Sequence, residues 1–311
     1  MIVNDIFSTL FAVLLVAFAG NVLWRRKFVP VNFWDGLSKI CYWILFPCLL
    51  FNLVSTLNLN APFIIPFVVT ISISSTVAIA FGFFSGWLLS VSGPTTSSLI
   101  QGSLRFNSFL MLAFVQGAFG VTALQIGALS VAILVPITNI VSVLVIFLLR
   151  DNCRDARLSG AIFTELARNP LVGAIILGGA VNTSGTPLPE FIIEMTGLLG
   201  RASLPMLLLC VGASLRISEF KAHTPALTLA VLSKLLVLPS VTIFAGILFG
   251  LEKEVLLVLI VLATVPTAAS TYALAQQLGG DAPLMAEIIT VQTIASIIAI
   301  PGWILVVSLM L

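Results

Sequence analysis

The sequence predicts an all-α integral membrane protein, and three observations support this class. Hydrophobic residues make up 59% of the 311-residue chain, and charged residues only 8%. The mean hydropathy is +1.19, whereas a soluble domain carries about 25% charged residues. The apolar runs are about 20 residues long, the length of a membrane-spanning helix, rather than the alternating ten-residue segments of a β-barrel.

We expect ten transmembrane helices arranged as two repeats of five. The predicted spans are 5–24, 33–57, 62–90, 96–117, 119–149, 168–184, 188–217, 224–250, 255–278 and 283–310. The first repeat covers 1–150, a strongly polar cytoplasmic link covers 151–167, and the second repeat covers 168–311. The first span is expected to be retained rather than cleaved, because its basic residues follow it instead of preceding it.

Basic residues are concentrated in alternate loops, which predicts the orientation, since cytoplasmic loops carry an excess of Lys and Arg. With the N-terminus outside, only Lys253 falls in an outer loop. The cytoplasmic loops then hold Arg25, Arg26, Lys27, Arg150, Arg154, Arg157, Arg168, Arg216 and Lys221. We therefore expect a multi-pass protein of the cytoplasmic (inner) membrane with both termini outside.

An odd number of spans per repeat means that the second repeat inserts upside down relative to the first. Spans two and seven share a pattern of Phe, thirteen residues, Pro and an apolar run, from Phe33 to Pro47 and from Phe191 to Pro205. A shift of 160 residues aligns two further pairs, Gln116 with Gln276 and Gly120 with Gly280. Together with the topology, these matches predict an inverted repeat.

Spans four and nine are interrupted by polar residues or proline at corresponding places. Paired interruptions point to the substrate site of a secondary transporter, where freed backbone groups line a cavity. The candidate site residues at the breaks are Asn107, Ser108, Pro266, Thr267, Ser270 and Thr271. Half-helix N-termini suit a carboxylate. For Pro266 an ordinary kink, and for Asn107 an interhelical hydrogen bond, remain alternatives.

Polar and charged residues inside the other parts of the spans have two readings each. Arg105 either attracts an anionic substrate or is a structural charge at a helix end. Arg201 and Lys234 either face the site or take part in packing, and Glu194 and Glu287 are either interfacial residues or proton carriers. Gln116 and Gln276 lie beyond the breaks and either bound the cavity or bond neighbouring helices.

The chain resembles the auxin efflux carrier family, which belongs with the bile-acid, arsenite and riboflavin transporters, and it looks like a bacterial member. The resemblance rests on Arg105-Phe-Asn107 before a break, Pro266, the Leu-Gly-Gly-Asp281 turn, and the prolines Pro47 and Pro205. It covers essentially the whole chain, without the long central loop of many plant members. Span four has no proline after Asn107, which predicts a less sharp first break.

The resemblance implies a ten-helix fold like that of the sodium/proton antiporters. Spans 1, 2, 6 and 7 would form a scaffold that often dimerises, which predicts a homodimer. Spans 3–5 and 8–10 would form a transport domain in which spans four and nine cross as broken helices. By the same resemblance, Asn107 is the crossover asparagine, Pro266 a crossover proline, and Pro47, Pro205 and Arg201 belong to the scaffold and its hinges.

The expected function is secondary active transport of small organic anions, carboxylates or auxin-like molecules, by alternating access across the lipid bilayer. A sodium-coupled symporter of the bile-acid type and a channel or sensor on the same fold are the alternatives. No cofactor is expected, and the coupling ion is open between H⁺ and Na⁺. The sequence has no GxxxxGK[ST] loop, no metal-ligand cluster, one histidine, His223, and no basic tract for nucleic acid, which disfavours an ATP-driven pump and an enzyme.

Overall fold

A computed structural model describes residues 2–149, 169–185, 187–214 and 224–311 of the protein. These residues are helical almost throughout, and no β-strand occurs among them. The polar link predicted at 151–167 lies outside the described residues. The same holds for seven residues that the sequence analysis named, Arg150, Arg154, Arg157, Arg168, Arg216, Lys221 and His223.

Thirteen α-helices make up the described part of the chain. In the first half these are α1 (Ile2–Arg25), α2 (Val31–Ile40), α3 (Phe46–Ser55), α4 (Ile64–Leu88), α5 (Gly93–Leu104) and α6 (Ser108–Leu149). In the second half they are α7 (Pro170–Ser184), α8 (Glu190–Ser214), α9 (Thr224–Leu232), α10 (Leu238–Leu248), α11 (Lys253–Thr264), α12 (Ser270–Leu278) and α13 (Ala282–Met310).

Two π-helical turns join helices into longer rods. Cys41–Leu45 connects α2 to α3, and Ser233–Val237 connects α9 to α10. In both cases a proline, Pro47 or Pro239, occupies one of the first two positions of the following helix. Proline has no N–H to donate and its ring crowds the preceding turn, so the wider turn accommodates it without ending the helix.

Among the described residues, seven helical segments are long and apolar enough to cross a membrane. They are Ser8–Arg25, Val31–Ser55, Ile64–Leu88, Gly93–Leu149, Glu190–Ser214, Pro225–Leu248 and Ala282–Met310. The 57-residue segment Gly93–Leu149 covers both the fourth and the fifth predicted span. The sixth corresponds to α7, which has 15 residues, and the ninth is divided between α11 and α12. The chain is thus a multi-pass, all-helical membrane protein, while the number ten remains a prediction.

Gly120 divides α6 in two. Its backbone angles, φ 82° and ψ −166°, are not helical, and a side chain would be strained at this positive φ. The sequence analysis placed the boundary between spans four and five at 117–119, so the prediction missed the dividing residue by very little. Glycine at this position allows the two parts of α6 to meet without a connecting loop.

The chain divides into two compact units, each drawn from both halves of the sequence. Unit one consists of Met1–Leu59, Leu112–Pro136 and Thr164–Leu215. Within it α1 and α2 pack against α8, and α3 packs against α7 and α8. The α1–α8 pair is very close, because a Cβ added at Gly20 would overlap the carbonyl oxygen of Leu209, and one added at Gly212 would overlap that of Ala17. Small residues at such contacts let helix backbones approach each other in membrane proteins.

Unit two consists of Asn60–Met111, Ile137–Phe163 and Arg216–Leu311. Within it α4 packs against α5 and α10, α11 packs against α10 and α13, and α13 also contacts α5, α9 and α12. Polar bonds between its helices are few but well placed, as where the Thr242 hydroxyl contacts that of Ser74 at 3.1 Å. This unit contains both interrupted helices and is the one that bears on the candidate site.

We expect Gly20→Ala to destabilise the protein, because the added methyl group would overlap the carbonyl of Leu209. Overpacking of this kind costs about 1–3 kcal/mol, which should lower the thermal unfolding midpoint of the protein in detergent. Gly173→Ala is the matched control, since no atom lies within 4 Å of a Cβ at that helical position. Equal midpoints for the two variants would contradict the close α1–α8 contact.

Candidate functional site

The two interruptions predicted in spans four and nine are present. Helix α5 ends at Leu104, and residues 105–107 are not helical before α6 begins. Helix α11 ends at Thr264, and the next helix, α12, begins only at Ser270. The first interruption, which lacks a proline, spans three residues, and the second spans five, 265–269. Arg105 (φ −69°, ψ 153°) and Val265 (φ −63°, ψ 146°) turn into the same extended conformation.

The two breaks are joined to each other through their backbones. The N–H of Asn107 donates to the carbonyl of Pro266 at 2.8 Å. The Thr267 hydroxyl lies 3.1 Å from the carbonyl oxygen of Gly102 and 3.4 Å from that of Arg105. Backbone groups that leave a helix inside a membrane protein need such partners, so each break supplies bonds that the other lacks.

Gln292, in the middle of α13, fastens this junction from a third helix. Its Oε1 accepts from the N–H of Thr267 at 3.0 Å and from the Thr267 hydroxyl at 2.8 Å. Its Nε2 donates to the carbonyls of Gly102 at 2.9 Å and Ala230 at 3.3 Å. The side chain is completely buried. The sequence analysis missed this residue, although an isolated amide in the middle of the apolar span 283–310 was a usable signal.

Asn107 caps the helix that follows it. Its Oδ1 accepts from the N–H groups of Phe109 at 3.2 Å and Leu110 at 3.1 Å, so it is the N-cap of α6. The side-chain oxygen is therefore committed to its own helix rather than to an interhelical bond. Among the described residues no hydrogen bond of its Nδ2 occurs, and this amide is a donor that a ligand can use.

The second half-helix, α12, begins without a side-chain cap. Its N-cap position is occupied by Ala269, which has no polar side chain. Ser270 is exposed and Thr271 is fully buried, and within the described chain the Thr271 hydroxyl has no hydrogen-bond partner. The N–H groups of Thr271 and Tyr272 donate to the carbonyls of Ala268 and Ala269 at 3.0 and 3.1 Å, and the partial positive charge of the helix N-terminus makes it a favourable place for an anion.

Arg105 places a permanent positive charge next to the first break. Its Nη1 donates to Asn139 Oδ1 and to Ser142 Oγ, both at 3.1 Å, and the residue is half-buried. These two partners are neutral and lie on the C-terminal part of α6. They hold the guanidinium group, which has five donors in all, against the C-terminal part of α6.

The Leu278–Asp281 turn holds the short helix α12 in place. Gly279 has φ 90°, a conformation that favours glycine. The Asp281 carboxylate accepts from the N–H of Leu284 at 3.0 Å, capping α13, and from the Thr95 hydroxyl at 2.9 Å. Its own N–H donates to the hydroxyl of Ser98 at 3.0 Å. The turn therefore ties α12 and α13 to the start of α5, which fixes the level at which the two breaks meet.

The structure thus brings together Arg105, Asn107, Pro266 and Thr267, and Ser108 lies half-buried at the start of α6. Gln276 is exposed on α12. The remaining predicted residues belong to unit one and are described only there: Gln116 is exposed, Pro47 begins α3, and Pro205 and Arg201 are exposed on α8. Glu194 is exposed and Glu287 is buried, and their role as interfacial residues or proton carriers stays a prediction.

Comparison with protein families identifies the chain. A family model described as "Membrane transport protein" matches residues 5–304, nearly the whole chain. No curated protein matches. Together with the apolar helices, the match defines a multi-pass membrane protein of a transporter family rather than of an enzyme family. The chain belongs to the auxin efflux carrier-type membrane transport proteins.

Gln292→Leu should destabilise unit two, because it leaves the N–H of Thr267 and the carbonyl of Gly102 without their buried partner. Each unsatisfied buried group costs about 1–3 kcal/mol, so the thermal unfolding midpoint in detergent should fall clearly. Gln277→Leu, at an exposed position on α12, is the control and should change it little. If both variants unfold at the wild-type temperature, Gln292 does not hold the junction.

Proposed function

We propose that the protein is a secondary active transporter of small organic anions that works by alternating access. The observation that carries the proposal is the junction of the two breaks, where the capped N-terminus of α6, the uncapped N-terminus of α12 and the Arg105 guanidinium belong to one compact unit. Family membership supports transport as such, and the chemistry of this junction supports a negatively charged substrate.

The electrostatics of the junction favour an anion over a cation. Each helix N-terminus carries roughly half a positive charge, and Arg105 adds a full one. Neither the breaks nor α5 and α12 contain an acidic residue. A sodium site would need several oxygen ligands, usually including carboxylates. A carboxylate would instead meet the amide of Asn107, the partial positive charge at the start of α12 and a cation.

We further propose that the fold is a ten-helix inverted repeat with crossed broken helices. Helix boundaries support it, because both ends of α11 lie 160 residues after the corresponding ends of α5. The same shift relates α4, Ile64–Leu88, to the rod formed by α9 and α10, Thr224–Leu248. The two extended residues after the helices, Arg105 and Val265, are also 160 residues apart. Such repeats place substrate sites at paired broken helices near the midplane.

The division into two units supports a moving and a fixed part. We assign unit one, with α1–α3, α7 and α8, as a scaffold that forms a homodimer. We assign unit two, with α4, α5 and α9–α13, as the transport domain that carries the site. The stretch Leu112–Pro136 belongs to unit one. The chain on either side of Gly120 would therefore connect the transport domain to the scaffold.

Asn107→Asp should abolish anion exchange without unfolding the protein. Aspartate keeps the oxygen that caps α6 but replaces the amide donor with a negative charge facing the substrate. Counterflow in proteoliposomes is the measurement, with a radiolabelled panel of indole-3-acetate, lactate and malate. We expect the rate of saturable exchange to fall at least tenfold.

The matched control for this variant is Asn169→Asp, because Asn169 caps α7 in the same way, with Oδ1 accepting from the N–H of Leu171 at 3.0 Å. It belongs to unit one and should exchange at the wild-type rate. Unchanged exchange by Asn107→Asp would remove Asn107 from the site. Flux without saturable exchange in the wild type would indicate a channel rather than a carrier.

Single cysteines should show that both termini lie outside the cytoplasmic membrane. In a background with the native cysteines replaced, Leu311→Cys should react with a membrane-impermeant maleimide on intact cells. Phe28→Cys, in the basic first loop, should react only after the cells are permeabilised, because Lys and Arg mark cytoplasmic loops. A C-terminal cysteine that is protected until permeabilisation would rule out the inverted repeat.

A further inference from the structure

Lys234 is buried within unit two at a place where a lysine is unexpected. It lies in the π-helical turn between α9 and α10, and only 1% of its surface is exposed. Charged side chains inside membrane-spanning segments are costly and are retained for function. The junction of the two breaks, as described above, does not use it.

The packing of α9 shows which way Lys234 faces. Ala226 and Ala230 pack with Leu99 of α5 and with α13 in one apolar cluster. Lys234 follows Ala230 by four residues, so it lies on the same face of the helix one turn further along. A helical side chain projects back toward the N-terminus of its helix, which directs the lysine toward the level of Ala230.

Ala230 itself lies at the junction of the breaks. Its Cβ is 3.8 Å from the position that a Cβ at Gly102 would occupy, and its carbonyl accepts from Gln292. Leu99 and Gly102 of α5 lie on the side that faces Ala226 and Ala230 of α9. The two helices therefore run side by side in the same direction. One turn beyond Gly102, at the level of Lys234, α5 ends and the first break begins.

The π-helical turn that contains the lysine packs against four helices of unit two. It contacts α4, α5, α11 and α13, and Trp303 of α13 donates to the carbonyl of Leu235 at 2.7 Å. Helices α5 and α11 both end at a break, and the C-terminus of a helix carries partial negative charge. These two helix ends therefore offer an ammonium group partial charges but no full counter-charge.

The charged groups on the elements around the turn are few. They are Arg105 after α5, Lys253 and Glu254 at the start of α11, and Glu287 near the start of α13. Lys253 donates to the carbonyl of Ser308, and α11 separates it and Glu254 from the break. Within the described residues no acceptor is hydrogen-bonded to the lysine amine. A buried ammonium without a full counter-charge costs several kcal/mol, so a full negative charge bound nearby would stabilise it.

We propose that Lys234 is the coupling-proton site of this carrier: it binds one proton when an organic anion binds at the breaks and releases that proton when the anion leaves. This inference rests on the proposed function. The bound anion supplies the full negative charge that the ammonium lacks. One monovalent anion and one proton then cross together, and the loaded unit carries the same net charge as the empty one. Arg105 cannot take this role, because a guanidinium does not give up its proton in proteins.

Proteoliposomes with an imposed proton gradient test the proposal on the intact protein. The wild type should accumulate one of the three labelled carboxylates on the acid-to-alkaline gradient, relative to protein-free liposomes that report passive leak. Lys234→Met should still show counterflow exchange but should accumulate no more than it does without a gradient. Lys234→Arg, which keeps the charge, should still exchange one anion for another. It should also carry an anion down its own gradient without a proton, so that this net flux generates a current. Lys253→Met is the control and should accumulate like the wild type.

The outcomes of these experiments separate failure of the proton site from failure of the proposed function. Gradient-driven accumulation by Lys234→Met at the wild-type level would overturn the proton site. Exchange without proton-driven accumulation by the wild type would also overturn it, while the anion carrier stands. Absence of exchange in the wild type would overturn the proposed function and this inference with it. Because replacing a buried charge by an apolar side chain of similar length is often neutral or stabilising, Lys234→Met should unfold at or above the wild-type temperature, which separates loss of coupling from loss of folding.

Discussion

A peptide group that leaves a helix within an apolar layer has no water with which to form hydrogen bonds. The hydrogen bond from the N–H of Asn107 to the carbonyl of Pro266 meets that constraint. Two helices can be interrupted at the same level only because each lends a partner to the other. Gln292 and Thr267 complete the exchange with side chains. The remainder of unit two, from the Asp281 turn to the packing of α9 on α5, keeps these groups within hydrogen-bond distance.

Much of this arrangement could be predicted from the local sequence, and some of it could not. The apolar runs predicted the helices. The polar residues near Asn107 and Ser108 and the proline Pro266 predicted interruptions close to residues 105–107 and 265–269, where they occur, because a missing donor or a polar group competes with the helix locally. The same local logic failed at Gln292. A long-range hydrogen-bond partner has no periodic signature, so an amide within an apolar helix shows that a partner exists without showing which one. No local signal indicated that Leu112–Pro136 would belong to unit one, since this depends on packing after Gly120.

The two half-helix ends at the junction are unlike in a way that suits transport. The start of α6 is closed by Asn107, whereas the start of α12 has only Ala269 at the equivalent position. A fully capped pair would be stable without a ligand, and a fully uncapped pair would be hard to hold in an apolar environment. With one end capped by a side chain and the other not, the junction can stay folded without a ligand, and the partial positive charge at the start of α12 is left for the anion that we propose.

The π-helical turn at Ser233–Val237 has a consequence for how the chain can change in length. Such a turn accommodates one residue more than the regular helix does over the same rise. Deleting a single residue there would restore an ordinary helix over the same rise and leave α10 in its present register. A deletion within α9 would instead rotate everything beyond it by about 100° and turn the apolar face of α10 away from α4 and α11. The π-helical turn is therefore the place at which this rod best tolerates a change in length.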